Sequence, residues 1–144
     1  MNELLLILTL ATESPTCSPT LLDAIEHVES RGNPIAVSST GALGLLQVQP
    51  QWAKVPRWAL WVPSINRAEG CRILRRWHRR AISRCAWERR KRMGSCSVTA
   101  RALAAYNAGV AGLRGRSKRG RGYAWVVMRR ARITAHQSLR FSAL

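Results

Sequence analysis

Residues 18–34 read Ser18-Pro19-Thr20-Leu21-Leu22-Asp23-Ala24-Ile25-Glu26-His27-Val28-Glu29-Ser30-Arg31-Gly32-Asn33-Pro34. Ser18 is a favoured helix N-cap, and Pro19 suits the first helical position, where a missing N–H leaves no bond unmade. Leu21, Leu22, Ile25 and Val28 recur at the spacing of one helical face. Gly32-Asn33-Pro34 then stops the chain from continuing as a helix. The stretch predicts an amphipathic helix over 19–30. Glu29 lies four residues after Ile25, at the border of the apolar face. A carboxyl there is partly desolvated, which raises its pKa and suits it to act as a general acid. The plainer reading of one helical Glu is a solvent-facing residue.

Outward from this helix, no region alternates in the manner of a sheet strand, so the expected class is all-α. Glu3 to Thr12 is apolar enough for a short helix, and Ser14 to Ser18 breaks it. Ser38 to Gly44 is small and polar and reads as a loop that lets backbone approach a ligand. A short helix around Leu45 to Trp52 is expected next, and Pro56 and Pro63 bound an irregular section. Ser64 can cap a long helix over 65–91, with Ile65, Ala68, Ile73, Leu74, Trp77, Ala81 and Ile82 facing the core. Its other face carries Arg72, Arg75, Arg76, Arg79 and Arg80, most simply a solvated surface. Ser97 caps a helix through Ala108, Gly109 to Gly122 reads as a basic, glycine-rich loop, and a last amphipathic helix runs from Tyr123 to Thr134. The expected organisation is an apolar N-terminal segment at 1–18, one domain at 19–134 and a tail at 135–144.

Composition narrows the partners. The chain has 144 residues, 24 Lys plus Arg against 7 Asp plus Glu, and a net charge of +17. At 47% hydrophobic it can bury a core, which excludes a disordered chain. The charge calls for an anionic partner: nucleic acid, anionic lipid or acidic wall polymer. Apart from Lys54, Lys91 and Lys118 the cations are Arg, which fits phosphate or carboxylate recognition and equally a GC-rich coding bias. No nucleic-acid-binding motif accompanies the charge, so no specific nucleic acid is expected. The run Leu4 to Ala11 is too short to cross a bilayer. Glu3 stands where a signal peptide carries Lys or Arg, and no clear A-x-A site follows, so a buried or amphipathic first helix is preferred.

Cys17, Cys71, Cys85 and Cys96 show no C-x-x-C spacing and no histidine in ligand register, so no zinc site is expected. Cys71 and Cys85 fall on one predicted helix, about 21 Å apart, too far to pair. Cys85 can reach Cys96, but buried or idle thiols are the simpler expectation.

Two further clusters carry chemistry. Gly41-Ala42-Leu43-Gly44-Leu45-Leu46-Gln47-Val48-Gln49-Pro50 leaves room beside the backbone at its two glycines, and Gln47 offers an amide to a sugar. Ala105-Tyr106-Asn107-Ala108-Gly109 places a phenol and an amide at a helix end, which suits carbohydrate binding. Alone, the first is a common Gly-rich turn and the second a packed helix terminus.

Taken together and in order, the three clusters resemble the catalytic domain shared by soluble lytic transglycosylases and goose-type lysozymes. That family shows Glu-Ser, then Asn-Pro, a Ser, Gly-Ala-x-Gly-Leu-Met-Gln and Ala-Tyr-Asn-Ala-Gly. The corresponding residues are Glu29-Ser30, Asn33-Pro34, Ser38, Gly41 to Gln47 and Ala105 to Gly109. Pro63, Asn66, Gly70 and Leu74 match the family's Asn-x-x-x-Gly-x-x-x-Leu helix, and the resemblance spans residues 19–132. Leu46 stands in place of the usual Met and keeps its volume.

The resemblance implies a lysozyme-like helical fold with a catalytic cleft. It implies cleavage of the β-1,4 bond between N-acetylmuramic acid and N-acetylglucosamine, with a 1,6-anhydro product and no metal or other cofactor. Glu29 would be catalytic. Ser38 and Gln47 would meet sugar acetamido and hydroxyl groups, Tyr106 would stand beside Glu29, Asn107 would bind glycan and Tyr123 would line the cleft. Peptidoglycan glycan strands are the expected partner, with an anionic membrane surface as a second through the Arg-rich faces. The expected setting is the periplasm or cell wall, with a bacteriophage enzyme preferred to an exported bacterial one. The competing readings are a hydrolytic lysozyme and an Arg-rich module binding nucleic acid or membrane.

Overall fold

A computed structural model describes residues 17–132. Among these residues the architecture is all-α: α1 (Pro19–Ser30), α2 (Pro63–Arg90), α3 (Val98–Leu113) and α4 (Lys118–Arg130), with short 3-10 turns at Pro50–Trp52 and Arg57–Trp61. The expected helix over Glu3 to Thr12 and the tail at 135–144 lie outside the described residues. Helix α3 is central and packs on both α2 and α4, while α1 packs on α4. No described helix is long and apolar enough to cross a membrane.

The caps follow the sequence. Ser18 Oγ accepts from Leu21 N at 3.3 Å with Pro19 in the first turn, and Ser97 and Ser117 cap α3 and α4 in the same way. At the end of α1, Arg31 turns left-handed, with φ 56°, and its N–H closes on His27 O. Leu21 and Ile25 are fully buried, and Leu22 and Val28 pack at the edge of the core. Leu43, Leu46, Leu60, Leu74, Leu103 and Val127 complete the centre.

Four expectations are corrected. Leu45 to Trp52 is not a helix. Leu43 and Val48 exchange both backbone hydrogen bonds at 3.0 Å, and Gly44 and Gln47 have φ of 72° and 48°, which a helix forbids. Helix α2 starts at Pro63 behind Val62, with no side-chain cap from Ser64, because proline is already set for the first turn. Its buried residues are Asn66, Glu69, Gly70, Leu74, Ala81, Cys85 and Glu88, and Ala68 and Ile82 are exposed. The predicted loop over Gly109 to Gly122 shrinks to residues 114–117. Helix α3 bends at Ala108-Gly109 and runs on to Leu113, with Gly112 lying against the Ala104 and Ala105 backbone of its own first half, and α4 begins at Lys118 rather than Tyr123.

The fourth correction concerns the cysteines. Cys17 pairs with Cys71 and Cys85 with Cys96, at Cα separations of 5.7 and 5.4 Å. The first bond ties the entry of α1 to α2, and the second ties the end of α2 to the segment that enters α3. Idle thiols are thereby excluded among the described residues.

One buried polar side chain joins the loop 41–47 to the rest. Asn66 is 1% exposed. Its Oδ1 accepts from Leu46 N, and its Nδ2 donates to Leu43 O and Leu60 O, all at 2.8 Å. Gly44 lies against the same amide, where any Cβ would collide with Asn66 and Leu60 O, and its positive φ also demands glycine. One turn along α2, a Cβ on Gly70 would sit 2.9 Å from Leu46 Cβ and 3.1 Å from Tyr106 Oη. Glycine there lets the loop and α3 both press on α2.

Asn66→Ala leaves the Leu46 N–H and the Leu60 carbonyl without partners and removes one of the two donors to Leu43 O, so it should lower the unfolding free energy by about 2 kcal/mol or more in denaturant titration. A loss under about 1 kcal/mol would mean that the loop does not depend on this amide. Reduction of the disulfides should cost about 2–4 kcal/mol for each bond broken, measured by the same titration with and without reductant.

Candidate active site

Five carboxylates lie among the described residues, and four of them are engaged by cations. Asp23 pairs with Arg67, and Arg67 Nη1 also stands 3.1 Å from Glu26 Oε2, a charge contact without the alignment of a hydrogen bond. Glu69 binds Arg72 at 2.8 Å and the Lys54 N–H at 2.8 Å. Its carboxyl is held below the usual range, chiefly by the Arg72 hydrogen bond. Glu88 is held between Arg84 at 2.8 Å and Arg101 at 3.1 Å. Glu29 alone among the described carboxylates makes no ion pair.

Helix α1 sets Glu29 at its last turn, on the side that borders the core. Burial raises its pKa above the ordinary carboxylate value, and the Tyr123 phenol and the more distant Arg119 charge pull it partly back. Tyr106 and Tyr123 reach this carboxyl from α3 and α4. Burial first, and then the charge of Glu29, pushes both phenols upward, so both remain protonated donors at neutral pH. Tyr106 spends its proton on Leu46 O at 2.8 Å, which anchors the loop again. Tyr123 Oη is buried and forms no aligned hydrogen bond among the described residues. It influences Glu29 from nearby and keeps a donor available.

A cleft of about 290 Å³ opens on the Tyr106 side of this group, and neither Glu29 nor Tyr123 is among its lining residues. Its lining includes Gln47, Gln49, Trp52, Arg76, Trp77, Tyr106 and Asn107. Asn107 Oδ1 is buried with no hydrogen-bond partner among the described residues, an acceptor left for a ligand. Gln47 Nε2 already donates to Ala36 O at 3.3 Å and Gly44 O at 3.0 Å, so its carbonyl oxygen is the end left over. Ser38 is not among the cleft residues. Its hydroxyl accepts from Ala42 N at 2.9 Å and meets Thr40 Oγ1 at 3.0 Å, and Thr40 in turn receives Gln49 Nε2 at 3.1 Å. Ser38 thus shapes the loop and connects to the cleft through Gln49.

Of the residues singled out in the sequence, the fold brings Glu29, Tyr106 and Tyr123 together, with Asn107 and Gln47 on the adjoining cleft. The sequence alone assigns no role to Trp52 or Gln49 and makes Arg76 part of a solvated surface. Trp77, expected in the core, is partly exposed on the cleft wall. No spacing rule relates these positions, since they come from a 3-10 turn, a loop and α2.

Because the folded protein holds Glu29 with a raised pKa, ionising it opposes folding. The stability tied to its proton is complete below the unfolded-state pKa and is lost as pH rises through the folded-state value. Glu29→Gln should therefore be more stable than the parent at neutral pH, with the gap closing as pH falls below the carboxylate range. Thermal melts across pH would show this, and a gap that widens in acid would contradict a desolvated carboxyl.

Residues 8–123 match the family model described as the transglycosylase SLT domain. No curated protein and no solved structure matches the chain. The family match covers most of the sequence and agrees with the helical fold described above. The chain belongs to the transglycosylase SLT domain family, that is, to the lytic transglycosylases, lyases that cleave the glycosidic bonds of peptidoglycan.

Proposed function

We propose that Glu29 is the catalytic acid and base of a reaction that cleaves the bond between N-acetylmuramic acid and N-acetylglucosamine and leaves a 1,6-anhydromuramic end. The observation that carries this reading is the isolation of Glu29: the other described carboxylates are engaged by cations, and Glu29 is desolvated beside two protonated tyrosines. Most glycosidases need a second carboxylate as nucleophile or base. None of the described ones is free to take that part.

One carboxyl suffices if the sugar supplies its own nucleophile. Protonated Glu29 donates to the glycosidic oxygen as the bond to C1 breaks. The resulting carboxylate takes the proton of the muramic C6 hydroxyl, whose oxygen bonds to C1 of the same ring. Attack within one ring has a high effective concentration and needs no activated water. Tyr123 holds a donor beside Glu29 and steadies its anionic form. Asn107 Oδ1 and the Gln47 carbonyl oxygen are acceptors for acetamido N–H or hydroxyl groups, and Ser38 contributes by holding the loop that carries Gln47.

We place the enzyme on the wall side of a membrane. The two disulfides support an oxidising compartment. Contact with anionic lipid is a second reading, supported by exposed Trp125 and Val126 on α4 and by Arg129, whose guanidinium lies 5.1 Å from the Trp125 ring centroid. Leakage of anionic vesicles by the Glu29→Gln variant would report it apart from catalysis.

Glu29→Gln should lower lysis of purified peptidoglycan by at least about a hundredfold while the fold persists. Retention of the parent rate would sink the assignment. Released muropeptides should be lighter by one water than hydrolytic products in mass spectrometry, and products that have gained water would make the enzyme a lysozyme. Activity should fall as pH rises through the raised Glu29 pKa. Tyr123→Phe removes a contact that lowers this pKa, so the alkaline limb of kcat/KM should move to higher pH. A limb that stays fixed or moves down would remove Tyr123 from that role.

A further inference from the structure

The cleft has a wall that the three sequence clusters do not supply. Arg76 lies over the ring of Trp52, its guanidinium carbon 5.5 Å from the ring centroid. Both residues line the cleft. Trp52 is secured from behind, because Arg72 donates to its backbone oxygen while buried Glu69 grips Arg72 and the Lys54 N–H. The backbone that carries the ring is thereby held, and stacking on the ring restricts the freedom of Arg76 before any ligand arrives.

Other stacks among the described residues need no functional account. Arg80 on Trp77, Arg84 on Trp87 and Arg129 on Trp125 join residues three or four apart on one helix, where neighbours meet by geometry. Arg76 on Trp52 joins separate elements across the cleft wall. Arg76 is exposed and makes no ion pair with any described carboxylate. Stacking occupies the face of a guanidinium and leaves the in-plane N–H donors at its edge. A pre-positioned guanidinium of this kind matches a planar carboxylate.

The sugar rings of peptidoglycan carry neutral acetamido and hydroxyl groups. Their negative charge sits on the lactyl arm of muramic acid, as the lactyl carboxylate itself or as carboxylates of the peptide amide-linked to it. We propose that Arg76, stacked on Trp52, binds a carboxylate carried on the lactyl arm of muramic acid and so makes the cleft prefer muramic-acid strands to uncharged N-acetylglucosamine polymers. The proposal rests on the functional reading above for its choice of polymer.

The test measures binding by calorimetry on the full chain carrying Glu29→Gln, with and without Arg76→Gln. Three probes of equal length are used: an N-acetylglucosamine oligomer, a peptide-free muramic strand and a peptide-bearing strand. Arg76→Gln should weaken a carboxylate-bearing probe by about tenfold and leave the uncharged oligomer unchanged. Weakening of the peptide-free strand assigns the lactyl carboxylate, and weakening of the peptide-bearing strand assigns a peptide carboxylate. Equal loss on all three probes, or loss on none, overturns the proposal. Because binding is read on a chain lacking the catalytic carboxyl, failure of the parent to lyse peptidoglycan would overturn the functional reading by a separate result.

Discussion

The amide of Asn66 carries a constraint on which the site depends. A buried amide with three partners is stable only when all three are in place, because each orphaned backbone group would pay its full desolvation cost. Asn66 binds Leu46 N, Leu43 O and Leu60 O, and thereby fastens a loop of little regular structure to the long helix α2. The loop in turn receives the Tyr106 hydroxyl on Leu46 O. Helix α2, the loop and α3 are thus locked in register, and α3 brings Tyr106 and Asn107 to the cleft. Gly44 and Gly70 belong to the same arrangement, since a side chain at either would push the layers apart.

A second ordering principle is charge neutralisation. In a chain of net charge +17, a carboxylate is easily captured by arginine. Asp23, Glu26, Glu69 and Glu88 are captured, and Glu69 and Glu88 are buried as ion pairs that brace α2 against its neighbours. Glu29 escapes because its surroundings are the two phenols and the apolar edge of α1, with Arg119 acting only at longer range. A desolvated carboxyl flanked by neutral phenols holds its proton more tightly and can still release it, the property a single acid–base residue needs. Among the described residues the arginines outside these ion pairs are exposed, and one of them, Arg76, borders the cleft.

Much of the local structure was legible. The Ser18-Pro19 start of α1, the Ser97 cap of α3 and the core positions Leu21, Ile25 and Leu74 follow from caps and periodicity, which are short-range effects. Element boundaries failed where backbone conformation depends on distant contacts. Leu45 to Trp52 has apolar residues enough for a helix, but Asn66 and the Leu43–Val48 pairing hold it in a turn. The glycine-rich stretch after Ala108 looked like a loop because glycine usually breaks helices, whereas here Gly112 permits close packing and lets α3 continue. The phase of α2 was misjudged for a related reason. Glu69, Glu88 and Asn66 are polar and fall outside the expected core positions, yet each is buried, with partners on other elements as well as on α2 itself.

The sequence by itself determined the helical class, the family and the place of Glu29 at the border of an apolar helix face. All of these rest on local spacing and on motifs in order. Tertiary structure alone decided which carboxylate stays free of arginine, that Tyr123 on α4 meets Glu29 on α1, that the four cysteines pair, and that Trp52 and Arg76 form one wall of the cleft. Each of those facts is a distance between residues far apart in the chain, and desolvation, ion pairing and disulfide geometry depend on that distance alone.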